Sequence, residues 1–205
     1  MTQKQAQHQN ATAQLLNALA FEGAFDEAAC LALIENGADI HATDDNGDTL
    51  LVLVLERAHM KQADFLIDQG ADVNASRLYD KTPALHLAVY NDISGDTVRK
   101  ILEKSANLNV RDEDGDTALM AAISVNASIE IINVLLEHGA ALDIEKKGGD
   151  TARTMAAYEG RDDVIEAINV EEKRRTAAAF RAAAEQGTTR TRRIRRFGKG
   201  HGMQS

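Results

Sequence analysis

Three copies of the tripeptide Gly-Asp-Thr, Gly47-Asp48-Thr49, Gly115-Asp116-Thr117 and Gly149-Asp150-Thr151, set their threonines 68 and 34 residues apart. Thr82-Pro83 falls between the first two at nearly half the gap. A second signal runs in step: Glu35-Asn36-Gly37-Ala38-Asp39-Ile40, Asp68-Gln69-Gly70-Ala71-Asp72-Val73-Asn74, Glu103-Lys104-Ser105-Ala106-Asn107-Leu108-Asn109 and Glu137-His138-Gly139-Ala140-Ala141-Leu142-Asp143 recur every 33 to 35 residues. A period of this length, held over four copies, means one small supersecondary unit repeated, each burying its apolar face against its neighbours.

The unit can be read physically. Thr49, Thr117 and Thr151 sit where a hydroxyl caps a helix N-terminus, and Pro83 follows Thr82 where a missing N–H costs nothing. In the short helix that starts there, small residues such as Ala88, Ala121, Ala122, Ala156 and Ala157 let neighbouring helices approach, while Leu51, Leu85 and Leu119 fill the space between them. A second helix presents Leu31/Leu33/Ile34, Phe65/Leu66/Ile67, Val98/Ile101/Leu102, Ile131/Val134/Leu135/Leu136 and Val164/Ile165/Ile168 on an apolar face. Gly37, Gly70 and Gly139 end it in the left-handed conformation, and an Asp/Asn-rich, hairpin-like turn leads into the next unit.

This pattern resembles the ankyrin repeat family, whose unit reads roughly D-x-x-G-x-T-P-L-H-x-A…L-L-x-x-G-A-x-V-N. The stretches that carry the resemblance are Thr82-Pro83-Ala84-Leu85-His86-Leu87-Ala88, Asp112-Glu113-Asp114-Gly115-Asp116-Thr117-Ala118-Leu119 and Leu135-Leu136-Glu137-His138-Gly139-Ala140. It implies an all-α solenoid of five units, 11–43, 44–76, 77–111, 112–145 and 146–168, about three quarters of the chain. Thr82-Pro83-Ala84-Leu85-His86 has one residue more than T-P-L-H, leaving two placements open: Ala84 is inserted, or the preceding turn is longer by one. The His position holds Val52, Met120 and Thr154 in other units, and units three and four carry an extra residue between their helices, near 91–95 and 126–128. Outside the repeats, 1–10 reads as a flexible N-terminus and 169–187 as one more helix. Its Val170, Ala177, Phe180 and Ala184 form a narrow apolar stripe to lie on the last repeat, and the basic tail 188–205 reads as disordered.

The net charge of −9 conceals two parts. Residues 169–205 hold ten Lys/Arg against three Asp/Glu, net +7, leaving 1–168 with 13 basic and 29 acidic residues, net −16. Phosphate would be repelled by that body, so nucleic acid or an anionic surface is a partner for the tail alone, through Arg190, Arg192, Arg193, Arg195, Arg196 and Lys199. No apolar run approaches the ~18 residues of a membrane span, and the first ten residues lack a secretory apolar stretch, which points to a soluble, cytoplasmic protein; it is expected to be a monomer.

Catalytic chemistry is nearly absent from the sequence. No G-x-x-x-x-G-K-[ST], H-E-x-x-H or G-x-S-x-G occurs, and no ligand spacing calls for a metal or another cofactor. Lone Cys30 is expected to pack, and the resemblance gives His86 a place in the turn hydrogen-bond network. The protein is therefore expected to be a non-enzymatic adaptor, inhibitor or regulator. The family implies that partners bind a concave face and its turn tips, here Asp45/Asn46/Asp48, Leu78/Tyr79/Lys81, Glu113/Asp114/Asp116 and Lys147/Asp150, together with Tyr90 and Tyr158, which share a column with Glu56 and Ser124. Tyr79, Tyr90 and Leu78 would supply affinity, and Asp45, Asp114 and Asp116 would steer a protein with a basic or mixed surface. The alternative gives function to the tail, as a nucleic-acid or anionic-surface binder or a targeting or secretion signal, with the repeats as scaffold.

Overall fold

The computed structural model of the chain describes residues 3–20, 25–91 and 95–197, with side chains over 5–19, 25–91 and 95–185. It divides into two compact units, Met1–Ile165 and Glu166–Ser205. Among the described residues every regular element is a helix: α1 (Gln3–Ala20), α2 (Glu27–Glu35), α3 (Leu50–Glu56), α4 (Met60–Asp68), α5 (Ala84–Asn91), α6 (Asp96–Glu103), α7 (Ala118–Ser124), α8 (Ile129–Glu137), α9 (Ala152–Tyr158) and α10 (Asp162–Phe197). Extended pairing among them is limited to the isolated bridges Thr43–Thr49, Ser76–Pro83 and Arg111–Thr117, which close the turns between repeats.

In the first unit, α1, α3, α5, α7 and α9 pack in a row, α4, α6 and α8 form a second row, and α1–α2, α3–α4, α5–α6 and α7–α8 pair as helical hairpins. The caps lie where the threonines predict them: Thr49, Thr117 and Thr151 accept the backbone N–H of Val52, Met120 and Thr154. Leu51, Leu85 and Leu119 are buried between the first helices, beside buried Ala88, Ala121, Ala122 and Ala156, whereas Ala157 lies on the exposed side of α9. Gly37, Gly70 and Gly139 end their helices at φ of +91°, +92° and +98°. Side-chain amides then stitch successive repeats: Asn74 Oδ1 accepts from Asn107 N at 2.8 Å and Asn109 Oδ1 from Ala141 N at 2.9 Å. Lys100 on α6 adds ion pairs to Asp64 (3.5 Å) and Asp68 (2.9 Å) on α4.

Both ends differ from the expected boundaries. Residues 3–10, read as flexible, belong to α1, because Gln, Ala and Lys are good helix formers that continue the helix anchored by buried Ala11, Leu15 and Leu19. The final helix starts at Asp162 and does not stop at Ile168. Nothing between Arg161 and Gln186 is Gly or Pro, so α10 runs on past Ile168, and it continues through Gly187 to Phe197, where a disordered tail was expected from 188. Residues 198–205 lie outside the described residues. Along α10 the Val170–Ala177–Phe180–Ala184 stripe is exposed, with Val170 at 60% and Phe180 at 74%.

Between helices, the unit-four connection 125–128 is one residue longer than 57–59 and 159–161, as the spacing predicts. The stretch near 91–95, where unit three's extra residue is expected, includes 92–94, which lie outside the described residues.

Candidate binding face

Four turns project between the repeats, each closed end to end by a backbone bond: Asp44 N to Asp48 O (2.9 Å), Arg77 N to Thr82 O (2.9 Å), Asp112 N to Asp116 O (3.0 Å) and Lys146 N to Asp150 O (2.9 Å). In the first, second-last and last of these that share five residues, the bend is a glycine: Gly47, Gly115 and Gly149 at φ of +85°, +85° and +87°. Asp44 Oδ1 accepts the N–H groups of Asn46 and Asp48, and Asp112 Oδ1 those of Asp114 and Asp116, so these carboxylates brace their own turns.

The turn 77–82 is built differently. It has six residues, and Lys81, at φ +56°, takes the left-handed place of the glycines. The extra residue therefore lies in the turn and Ala84 is no insertion: Pro83 stands where Thr49 and Thr117 stand, bridged to Ser76 as they are to Thr43 and Arg111. Arg77 replaces the bracing aspartate. Its guanidinium forks onto Asp80 and reaches Glu56 Oε1 at 2.9 Å, while Asp80 Oδ1 accepts Thr82 N at 3.1 Å. The Arg77 fork holds the Asp80 carboxyl well below the usual carboxylate range.

Sequence reasoning missed Arg77, Asp80 and Glu56 as a group. A basic residue at the turn's first position with an acid three residues later was the signal. Of the residues expected to contact a partner, Asp45, Asn46, Lys81, Glu113 and Asp114 are exposed, as are Leu78 (50%), Tyr79 (93%), Tyr90 (40%) and Tyr158 (79%). Asp48 is not available: it is buried and accepts Leu78 N at 2.6 Å, so it ties one turn to the next. Asp116 is also largely covered, and burial raises its carboxyl pKa against the pull of Lys146, 3.7 Å away. Asn46, Asp48, Glu56, Arg77, Leu78, Tyr79 and Asp80 line a cleft of about 550 Å³.

His86 is fully buried, with Nε2 donating to Asp116 O at 3.0 Å and Nδ1 unpartnered. Burial lowers its pKa, so a neutral imidazole braces the next turn. Cys30 is buried on α2, and burial, then Asp26, raises its thiol pKa, the opposite of nucleophilic activation. Among the described residues no cluster of His, Cys, Asp or Glu is arranged to hold a metal ion. No helix among them is long and apolar enough to cross a membrane.

The family model "Ankyrin repeats (3 copies)" matches residues 15–112 and 85–176. This chain belongs to the ankyrin repeat family. Curated ankyrin relatives include the Neurogenic locus Notch protein of Drosophila melanogaster, 38% identical over 44% of this chain and 3% of its own. The ankyrin repeat protein FPV031 of Fowlpox virus is 38% identical over 47% of this chain and 29% of its own, and the E3 ubiquitin-protein ligase hecd-1 of Caenorhabditis elegans 35% over 46% and 3%. The chain thus spans less than a third of the length of these relatives. Ankyrin repeats are in general non-enzymatic protein–protein interaction modules, and the all-helical stack of hairpins with projecting turns is that fold.

Proposed function

We propose that this ankyrin stack is a non-enzymatic, cytoplasmic, monomeric binding module that engages one partner protein through its turn tips and the column of first-helix ends. The observation that carries this reading is the exposure of Leu78, Tyr79, Tyr90 and Tyr158 in a unit whose other large apolar side chains are mostly buried. Exposed tyrosines supply large contact area at low entropy cost. Role as adaptor, inhibitor or regulator follows from which partner is bound. Capture from native lysate by the full chain, by the chain cut at Gly187 and by Tyr79→Ala/Tyr90→Ala tests it. Loss of one protein with the double variant alone supports the face; unchanged capture by a folded double variant rejects it.

A second reading places function in the C-terminal arginines. Arg190, Arg192, Arg193, Arg195 and Arg196 fall within two turns of α10, five cationic residues in a stretch of seven. Binding to heparin or DNA that is lost when 188–205 is deleted supports it, and persistence after deletion rejects it.

A further inference from the structure

Two neighbouring places on the proposed face are built to the same plan and filled differently. In the first, Glu56, the last residue of α3, meets the guanidinium of Arg77 at the start of the following turn, 2.9 Å away. Tyr90 is Glu56's counterpart near the end of α5, and Asp112, which closes its turn as Arg77 does, is the counterpart of Arg77. At the second place an aromatic ring thus replaces the acid and an acid replaces the cation.

The charge balance of the two places differs accordingly. Around the 77–82 turn, Arg77 serves both Glu56 and Asp80, and Asp48 is occupied by Leu78 N–H. That cleft, flanked by exposed Leu78 and Tyr79, is charge-satisfied and offers apolar contact. Around Tyr90, neither Asp112 nor Asp114 has an ion-pair partner among the described residues. Of the cations on the adjoining turns, Arg111 gives its guanidinium to the carbonyls of Gly115 and Glu145, Lys147 reaches the Glu113 carbonyl and Lys146 stands by Asp116, while Lys81 is exposed on the 77–82 turn. The negative field is felt at the Tyr90 hydroxyl, whose pKa burial raises first and Asp112, Asp116, Asp114 and Asp80 raise further.

We propose that the Leu78–Tyr79–Tyr90 face docks an extended basic segment of a partner protein, an apolar side chain entering the cleft beside Tyr79 and an Arg or Lys, about three residues along, seated on Tyr90 between the 77–82 and 112–116 turns. The partner's cation does at Tyr90 what the chain's own Arg77 does one repeat earlier. It adds a cation–π contact to the Tyr90 ring and neutralises Asp112 and Asp114. The spacing follows from neighbouring helices packing about 8–10 Å apart and from a polyproline-II-like segment, which advances about 3.1 Å per residue and returns every third side chain to the same face.

This inference rests on the proposed function, and the test separates the two. Random 12-residue peptides displayed on phage are selected on the immobilised full chain at physiological salt, and selected peptides are synthesised and titrated. The expected peptides carry an apolar residue and an Arg or Lys three positions apart. Their affinity falls at least tenfold with Tyr90→Ala, and similarly with Asp114→Lys, whose exposed carboxylate braces no turn. Replacing the peptide's cation with norleucine makes Asp114→Lys neutral. Acidic or uncharged peptides that are nevertheless released by Tyr79→Ala/Tyr90→Ala overturn the basic class while keeping the face. Peptides indifferent to both tyrosines, or none selected, overturn the basic segment, while the face itself is rejected only by unchanged lysate capture with the folded Tyr79→Ala/Tyr90→Ala variant.

Discussion

Ala58, Lys81, Ser105 and Asn126 hold left-handed backbone, at φ of +58°, +56°, +63° and +52°, where a side chain is costly. Ser105 stands where three sibling repeats place Gly37, Gly70 and Gly139. Ser105→Gly is expected to raise stability by about 0.5 kcal/mol, strain relief exceeding the unfolded-chain entropy that glycine adds. Gly139→Ala should do the reverse, costing about 1 kcal/mol or more through backbone conformation alone, since nothing lies within 4 Å of the added methyl. Urea denaturation midpoints check both. His86 adds a pH dependence: its folded pKa lies below the ordinary 6.5, so the unfolded chain binds the extra proton first. Its contribution is present above about pH 6.5 and is lost as pH falls. His86→Met, which copies Met120, is expected to cost about 1 kcal/mol at pH 7.5 and to flatten the fall in melting temperature between pH 7.5 and 5.5.

Helices and the joints between them were legible to different degrees. The caps at Thr49, Thr117 and Thr151 and the stops at Gly37, Gly70 and Gly139 could be read because each is a local bargain between one residue and its own backbone. The placement of the extra residue before His86 could not, since T-P-A-L-H fits two alignments until Lys81 is seen to bend as a glycine would. Nor could the end of the last helix: the repeat period predicts a boundary at Ile168, but α10 contains no residue that would break it there. On the face, exposure of the tyrosines followed from the repeat register, whereas the Arg77 fork needed the turn's geometry. Two substitutions probe this scale. Asn74→Ala leaves Asn107 N–H without its acceptor and is expected to cost about 1 kcal/mol, read by faster hydrogen exchange at 106–109. On α10, the guanidiniums of Arg174 and then Arg175 pull the buried Glu171 carboxyl down to about 2 from 4.5. Its stabilising effect is therefore complete above about pH 4.5 and lost as pH falls toward 2. Helicity measured by circular dichroism should fall over that window, and less so in Glu171→Gln.

At the scale of the whole repeat unit, each first helix packs on the first helix before and after it, so stability is a sum of unit and nearest-neighbour contributions. Leu119→Ala in α7 is expected to cost about 3 kcal/mol and to raise hydrogen exchange in α5, α7, α8 and α9 while leaving α1 and α2 nearly unchanged. Uniform loss of protection throughout would contradict this locality. The same locality sets how the chain behaves under tension. A force applied between Gln5 and Ile165 meets no long-range staple and peels one hairpin at a time. Each event frees one repeat of 33 to 35 residues, or about 11–13 nm of contour length at ~3.3–3.6 Å per residue. The molecule is thus a series spring whose give comes in equal steps, and a partner spanning two turns would lock two of those steps together.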